Sequence, residues 1–136
     1  EVLLATVNSN LGNLPVKWHD EACVGVVMAS KGYPGDYLTG LPISGLDTID
    51  NDVMAFHAGT RSVFGTTGQI DSVLTNGGRV LTLTAQGPTL DQARERVYTN
   101  IERIHFVGAH YRSDIGSAPS LQTEIAAFDF PDQRSQ

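Results

Sequence analysis

The sequence predicts an α+β domain, mainly β: a small antiparallel sheet or partial barrel with one helix packed on it. Three observations carry that expectation. Short apolar runs follow one another between glycine-rich turns, and one of them, Leu81 to Ala85, alternates with threonine. A single later stretch, Leu90 to Ile104, repeats its apolar residues at helical spacing behind a capping threonine.

The elements follow in order along the chain. Glu1 to Gly12 places Leu3, Leu4, Val7 and Leu11 at helical spacing and ends on glycine, so a helix is expected there. With neither an initiator methionine nor a capping residue before it, the chain is expected to start inside that helix, as a fragment or processed product would. Ala22 to Ala29 is a continuous apolar run between acidic residues and Lys31-Gly32-Tyr33-Pro34-Gly35, which favours a buried strand. Cys23 within it is expected to be a buried thiol, and a lone cysteine excludes an internal disulfide. Val53 to Ala58 and Ile70 to Thr75 are the next strands, with Gly65-Thr66-Thr67-Gly68 as a turn. Asn76-Gly77-Gly78 signals a hairpin or a bulge ahead of the alternating strand. Thr89 and Gln92 have the spacing of a capping box, and Leu90, Ala93, Val97, Ile101 and Ile104 then line one helix face. A short strand, His105 to Gly108, follows; beyond Gly116 the periodicity fades, and the polar ending Pro131 to Gln136 is expected to be mobile.

Composition narrows the function classes. The 136 residues suffice for one domain with a real core, and 40% hydrophobic with 18% charged residues is a globular balance. The net charge is -6 and the nine basic residues never form a run, which argues against a nucleic-acid partner. No stretch approaches the roughly 20 apolar residues of a membrane span, and no secretory leader pattern is visible, so the cytoplasm is the expected compartment and no membrane partner is expected.

No catalytic constellation stands out. His19, His57, His105 and His110 lack the spacings of metal sites, and Gly-x-Ser-x-Gly, P-loop and dinucleotide fingerprints are all missing. What does recur is a glycine turn beside a lone basic or aromatic residue: Lys31-Gly32-Tyr33-Pro34-Gly35, His57-Ala58-Gly59-Thr60, Gly77-Gly78-Arg79 and Tyr111-Arg112. Glycine there serves either a tight turn or the close approach of a ligand, and arginine offers a fork that fits phosphate. On residue chemistry alone both readings stand.

Four ordered blocks then resemble one family. Val24-Gly25-Val26-Val27-Met28-Ala29-Ser30-Lys31-Gly32-Tyr33-Pro34-Gly35-Asp36-Tyr37 resembles the opening of the C-terminal domain of phosphoribosylamine-glycine ligases. Val53-Met54-Ala55-Phe56-His57-Ala58-Gly59-Thr60, Thr75-Asn76-Gly77-Gly78-Arg79-Val80-Leu81 and Tyr111-Arg112-Ser113-Asp114-Ile115-Gly116 follow in the family's order. The resemblance implies a small barrel-like domain of the rudiment single hybrid motif type, similar to the C-terminal domain of biotin carboxylase. It divides the chain into residues 1–17, a remnant of the helix leaving an ATP-grasp domain; 18–116, the domain itself; and a tail, 117–136, that departs from the family pattern.

For the whole enzyme it implies ligation of 5-phosphoribosylamine and glycine with ATP and magnesium or manganese. The nucleotide and metal groups would lie upstream, with none bound to this piece and no catalytic residue within it. The implied partners are the N-terminal and ATP-grasp domains and the small-molecule substrates. Arg79 and Arg112 are the candidates for the ribosyl phosphate, followed by Lys31 and Tyr33. A salt bridge, such as Arg112 with Asp114, is the competing role for either arginine. Two other classes remain: a free-standing ligand-binding or regulatory module, and a swinging carrier domain. The carrier needs a lysine at a hairpin tip, where neither Lys17 nor Lys31 falls.

Overall fold

A computed structural model describes residues 1–117. Its core is a three-stranded antiparallel sheet in the order β1-β6-β3, made of β1 (Ala22–Ala29), β6 (Arg79–Gly87) and β3 (Met54–His57). One face of this sheet packs under α2 (Leu90–Ile101). Val24, Val26 and Met28 of β1 meet Ala85, Leu83 and Leu81 of β6 in register, and Ala93, Val97 and Ile101 of the helix close over them. Burying a Val, Leu, Ile or Met side chain contributes about 1.5–3 kcal/mol, so this single layer carries most of the stability.

The helix begins where its sequence says. The Thr89 side chain accepts from the Gln92 amide at 3.3 Å, and Asp91 sits in the first turn, where the helix dipole favours an acid. Beyond it, Asn100 is fully buried and satisfied. Its amide nitrogen donates to Asp50 Oδ2 and to the Arg96 carbonyl, while its oxygen accepts from the Asp50 amide, so the loop before β3 is tied to the helix.

A second antiparallel sheet, β2-β5-β4, is formed by β2 (Pro42–Ile43), β5 (Ile70–Thr75) and β4 (Thr60–Phe64). It is no extension of the first. The two long strand pairs, β3 with β6 and β4 with β5, are broken by a corner at Ala58-Gly59 and Asn76-Gly77-Gly78. There the amides of Ala58 and Gly59 both donate to the Val80 carbonyl, and the Asn76 amide donates to the Gly59 carbonyl. A Cβ on Gly59 would lie 2.6 Å from the Arg79 carbonyl oxygen and 2.8 Å from the Gly77 Cα, so only glycine permits this crossing.

Several expectations are corrected. No closed barrel is found among the described residues, because the glycine corner splits the strands into two separate sheets. Cys23 is exposed rather than buried: β1 is covered on one side only, and Cys23, Gly25 and Val27 face away from the helix. The expected strand at His105 to Gly108 is instead two isolated bridges, Ser44 with His105 and Ala29 with His110, separated by a turn. Asn76-Gly77-Gly78 joins strands of different sheets and makes no hairpin, but a bulge does follow it, where Val80 is skipped between Ala29–Arg79 and Met28–Leu81.

The opening helix α1 is only Val2–Val7. It ends at Asn8 rather than Gly12 because Ser9 takes a positive φ of 53° and the Asn10 amide returns to the Ala5 carbonyl. The polar ending, Pro131 to Gln136, lies outside the described residues.

Candidate functional site

The glycine corner opens a groove of about 620 Å³ at the edge of the first sheet. Its floor is Val27 and Thr82, cross-strand partners on the face away from α2. Tyr33 forms a wall: its ring lies so close over Gly78 that a Cβ there would come within 2.1 Å of the ring. The tyrosine is held by its turn, since its amide donates to the Ser30 carbonyl and Gly32 takes a φ of 98° with no room for a side chain beside the Asp36 carbonyl. Tyr37 stands next to it, ring centroids 6.2 Å apart, and Arg79 reaches the groove as the first residue of β6.

Arg79 is exposed and, among the described residues, pairs with no carboxylate, in contrast to Arg96, Arg103 and Arg112. Its backbone is fixed from below: Ser30, nearly fully buried, donates its amide to the Gly78 carbonyl and its hydroxyl to the Gly77 carbonyl at 2.9 Å. A guanidinium without a carboxylate partner among the described residues, on a braced glycine segment beside two aromatic rings, presents a fork of donors of the shape that carboxylates and phosphates accept.

The other candidates sit elsewhere. Lys31 lines a neighbouring cavity of about 300 Å³ that shares Tyr37 with the groove. Arg112 lines neither. Its guanidinium grips Asp114 with two bonds, Nε to Oδ1 at 2.8 Å and Nη2 to Oδ2 at 2.5 Å. Bonding to Arg112 holds the Asp114 carboxyl below the usual range, and the same contact raises the guanidinium further. Lys31, Tyr33 and Arg79 therefore gather around one loop, and Arg112 stands apart with the partner that the salt-bridge reading names.

Sequence reasoning missed two positioning residues. Ser30 braces the Gly77-Gly78 segment, and Thr75, fully buried, accepts from the Leu41 amide and so ties the segment before β2 to β5. Both are small hydroxyl residues at strand ends, and nothing in their local pattern marks them. Among the described residues no three His, Cys, Asp or Glu side chains gather as metal ligands, and no helix is long and apolar enough to cross a membrane.

Two small antiparallel sheets, one half-covered by a single main helix and edged by an arginine-lined groove, define the chain as a mainly β, α+β domain. Comparison with known proteins makes this specific. Residues 23–118 match the family model described as phosphoribosylglycinamide synthetase, C domain, and the chain belongs to that family.

Curated relatives agree. The phosphoribosylamine-glycine ligase of Halalkalibacterium halodurans is 38% identical over 140 residues, covering 91% of this chain and 31% of that protein. The Synechocystis enzyme of the same name is 47% identical over 118 residues, covering 85% and 27%. A crystal structure of phosphoribosylamine-glycine ligase from Thermotoga maritima superposes with a TM-score of 0.62 at 30% identity, covering 84% of this chain and 27% of that one. The chain thus spans less than a third of the relatives that it matches.

Proposed function

We propose that this chain is the C-terminal domain of an ATP-dependent ligase that joins 5-phosphoribosylamine to glycine in purine biosynthesis, and that its groove receives the phosphoribosyl end of the amine. The observation that carries the site is Arg79: a guanidinium with no carboxylate partner among the described residues, on a braced glycine corner walled by Tyr33 and Tyr37. In this reading Arg79 binds two phosphate oxygens through its fork, the tyrosine rings border the ribose, and Lys31 adds positive charge from the adjoining cavity. Arg112 takes part only if its pair with Asp114 opens.

ATP and magnesium or manganese belong to the other domains of the enzyme. The residues described here do not fit them: they lack a gathered metal-ligand set, and α2 opens from Gly87-Pro88-Thr89 rather than from a phosphate-cradling glycine loop. The N-terminal and ATP-grasp domains are the proposed partners, the cytoplasm the proposed compartment, and residues 1–17 the proposed segment entering from the ATP-grasp domain. Leu3 and Val7 on that segment are 83% and 81% exposed, and no residue before Val24 is buried, which supports a neighbour outside this chain. A free-standing module finds no support in relatives of which the chain makes up only 26% to 31%.

The test is turnover by the intact gene product. ADP formation should require both glycine and phosphoribosylamine. Turnover by residues 1–136 alone would place the chemistry in this domain and overturn the reading.

A further inference from the structure

Beside the Arg79 groove lies the cavity of about 300 Å³ that holds Lys31, and the two share Tyr37 as a wall. On the ligase reading above, the amine substrate enters phosphate first and ends in an amino group at the ribose carbon where a nucleotide carries its base. An amine gains nothing from aliphatic walls, so that substrate has no use for this cavity. We propose, resting on that reading, that the cavity takes the base of a ribonucleoside 5′-monophosphate whose phosphate sits on Arg79. Such nucleotides then compete with phosphoribosylamine.

The cavity suits a ring better than an ion. Leu38, Leu41 and Val107 supply aliphatic walls, and Tyr37 adds an aromatic one. Leu41 is fixed from behind: its amide donates to the hydroxyl of the fully buried Thr75 at 3.0 Å, and its carbonyl accepts from the Thr75 amide at 2.8 Å. Leu38 and Val107 stand at the rim, 74% and 75% exposed. At about 300 Å³ the space lies at the small end of ligand pockets, which suits one heterocycle.

Two charged groups give the apolar walls a polar edge. A Cβ on Gly108 would lie 2.7 Å from the Lys31 Cβ, so the lysine stem rests directly on a glycine with a φ of 75°. Asp36 lines the same cavity, and among the described residues neither it nor Lys31 forms an ion pair. An ammonium and a carboxylate on otherwise apolar walls offer a donor and an acceptor to the edge of a heterocycle, the mix that orients ligands in such pockets. Both belong to the turn that carries Tyr33. A Cβ on Gly32 would lie 2.0 Å from the Asp36 carbonyl oxygen, so this turn closes tightly on itself and forms one partition between groove and cavity.

The test is inhibition of the full-length enzyme at saturating ATP and glycine, with phosphoribosylamine varied and ribose 5-phosphate, inosine 5′-monophosphate and inosine as probes. Inosine 5′-monophosphate should compete with phosphoribosylamine at a Ki at least about tenfold below that of ribose 5-phosphate, the scale of one base stacked on an aromatic ring. Inosine, without the phosphate, should inhibit more weakly than the nucleotide, and raising ATP should relieve nothing. Leu38→Asp and Val107→Asp, both at the exposed rim, should each shrink the advantage of the nucleotide over ribose 5-phosphate measured in the same variant. Equal Ki values for the two phosphates would overturn the proposal and leave the phosphoribosyl reading standing. Inhibition relieved by ATP would place the nucleotide in the ATP site and overturn it too, as would an advantage that survives both aspartate variants. If neither phosphate competes, the groove reading itself fails and takes the proposal with it.

Discussion

Arg79 and Arg112 begin as equals in the sequence, each in a block that resembles the same family and each a candidate for the same phosphate, yet the fold treats them differently. Arg79 follows two glycines at a corner where the backbone is braced by Ser30, and its guanidinium has no carboxylate partner among the described residues. Arg112 lies on a loop whose main chain is pinned to α2. The Tyr98 hydroxyl donates to the Arg112 carbonyl at 2.6 Å, and Arg94 donates to the carbonyls of Ser113 and Ile115. Its own side chain is taken up by Asp114, two residues away. The difference teaches that a motif fixes where an arginine sits, while availability is decided by whether an acid stands within reach of the same loop.

The largest expected effect tests the available arginine. Arg79→Ala in the intact enzyme should lower kcat/KM for phosphoribosylamine by about ten- to a hundredfold, the loss of one charge-assisted phosphate contact. Arg79→Lys should recover part of it, since an ammonium keeps the charge without the fork. KM for ATP should hold steady, because the nucleotide is assigned to other domains. A folded alanine variant with wild-type kcat/KM would make Arg79 structural and erase the contrast with Arg112.

A smaller effect is expected one residue earlier. Gly78→Ala places a methyl within 2.1 Å of the Tyr33 ring, and this tyrosine stands on a turn that cannot shift freely because Gly32 is locked against Asp36. Such overpacking costs about 1–3 kcal/mol of folding stability, so the Tm should fall, and the displaced ring should lower kcat/KM by a smaller factor than Arg79→Ala does. The cycle with Tyr33→Ala sharpens the point: once the ring is removed, adding Gly78→Ala should change little further. Additive losses would mean that Gly78 acts on Arg79 through the backbone and not through the tyrosine.

Much of the fold is legible without the structure, and the failures have physical causes. The strands β1, β3, β5 and β6 and the helix α2 announce themselves because each carries its own apolar pattern or cap. β2 has two residues, and β4 reads Thr-Arg-Ser-Val-Phe; both owe their existence to pairing with β5, a long-range contact that no local window contains. Sequence reasoning misplaces Cys23 because a continuous apolar run looks buried on both faces, whereas here the second face is left bare. In the groove, Arg79 and Tyr33 are visible through glycine and family pattern. Ser30 is not, since its bonds run to Gly77 and Gly78, 47 and 48 residues away.

The smallest expected effect lies at Arg112, and it is the one that most directly breaks the comparison. Arg112→Ala removes a side chain that is 73% exposed and leaves every main-chain bond of its loop in place, because Tyr98 and Arg94 hold carbonyls rather than the guanidinium. An exposed pair of this kind contributes little, so kcat/KM for phosphoribosylamine should stay within about twofold of wild type.

The pH dependence follows from the depressed carboxyl of Asp114. A group whose folded pKa is lowered contributes fully above its unfolded value, about 3.9 for an aspartate, and loses that contribution only as the pH falls through the lower folded value. The pair is therefore intact from about pH 5 upward. The ratio of wild-type to Arg112→Ala activity should then be flat across that range in a kcat/KM series. A tenfold loss in the alanine variant, or a ratio that climbs between about pH 5 and 8 where phosphate monoesters gain their second charge, would mean that the guanidinium leaves Asp114 for the substrate. In that case both arginines would serve one phosphate, and the pairing seen here would be a resting contact that the ligand displaces.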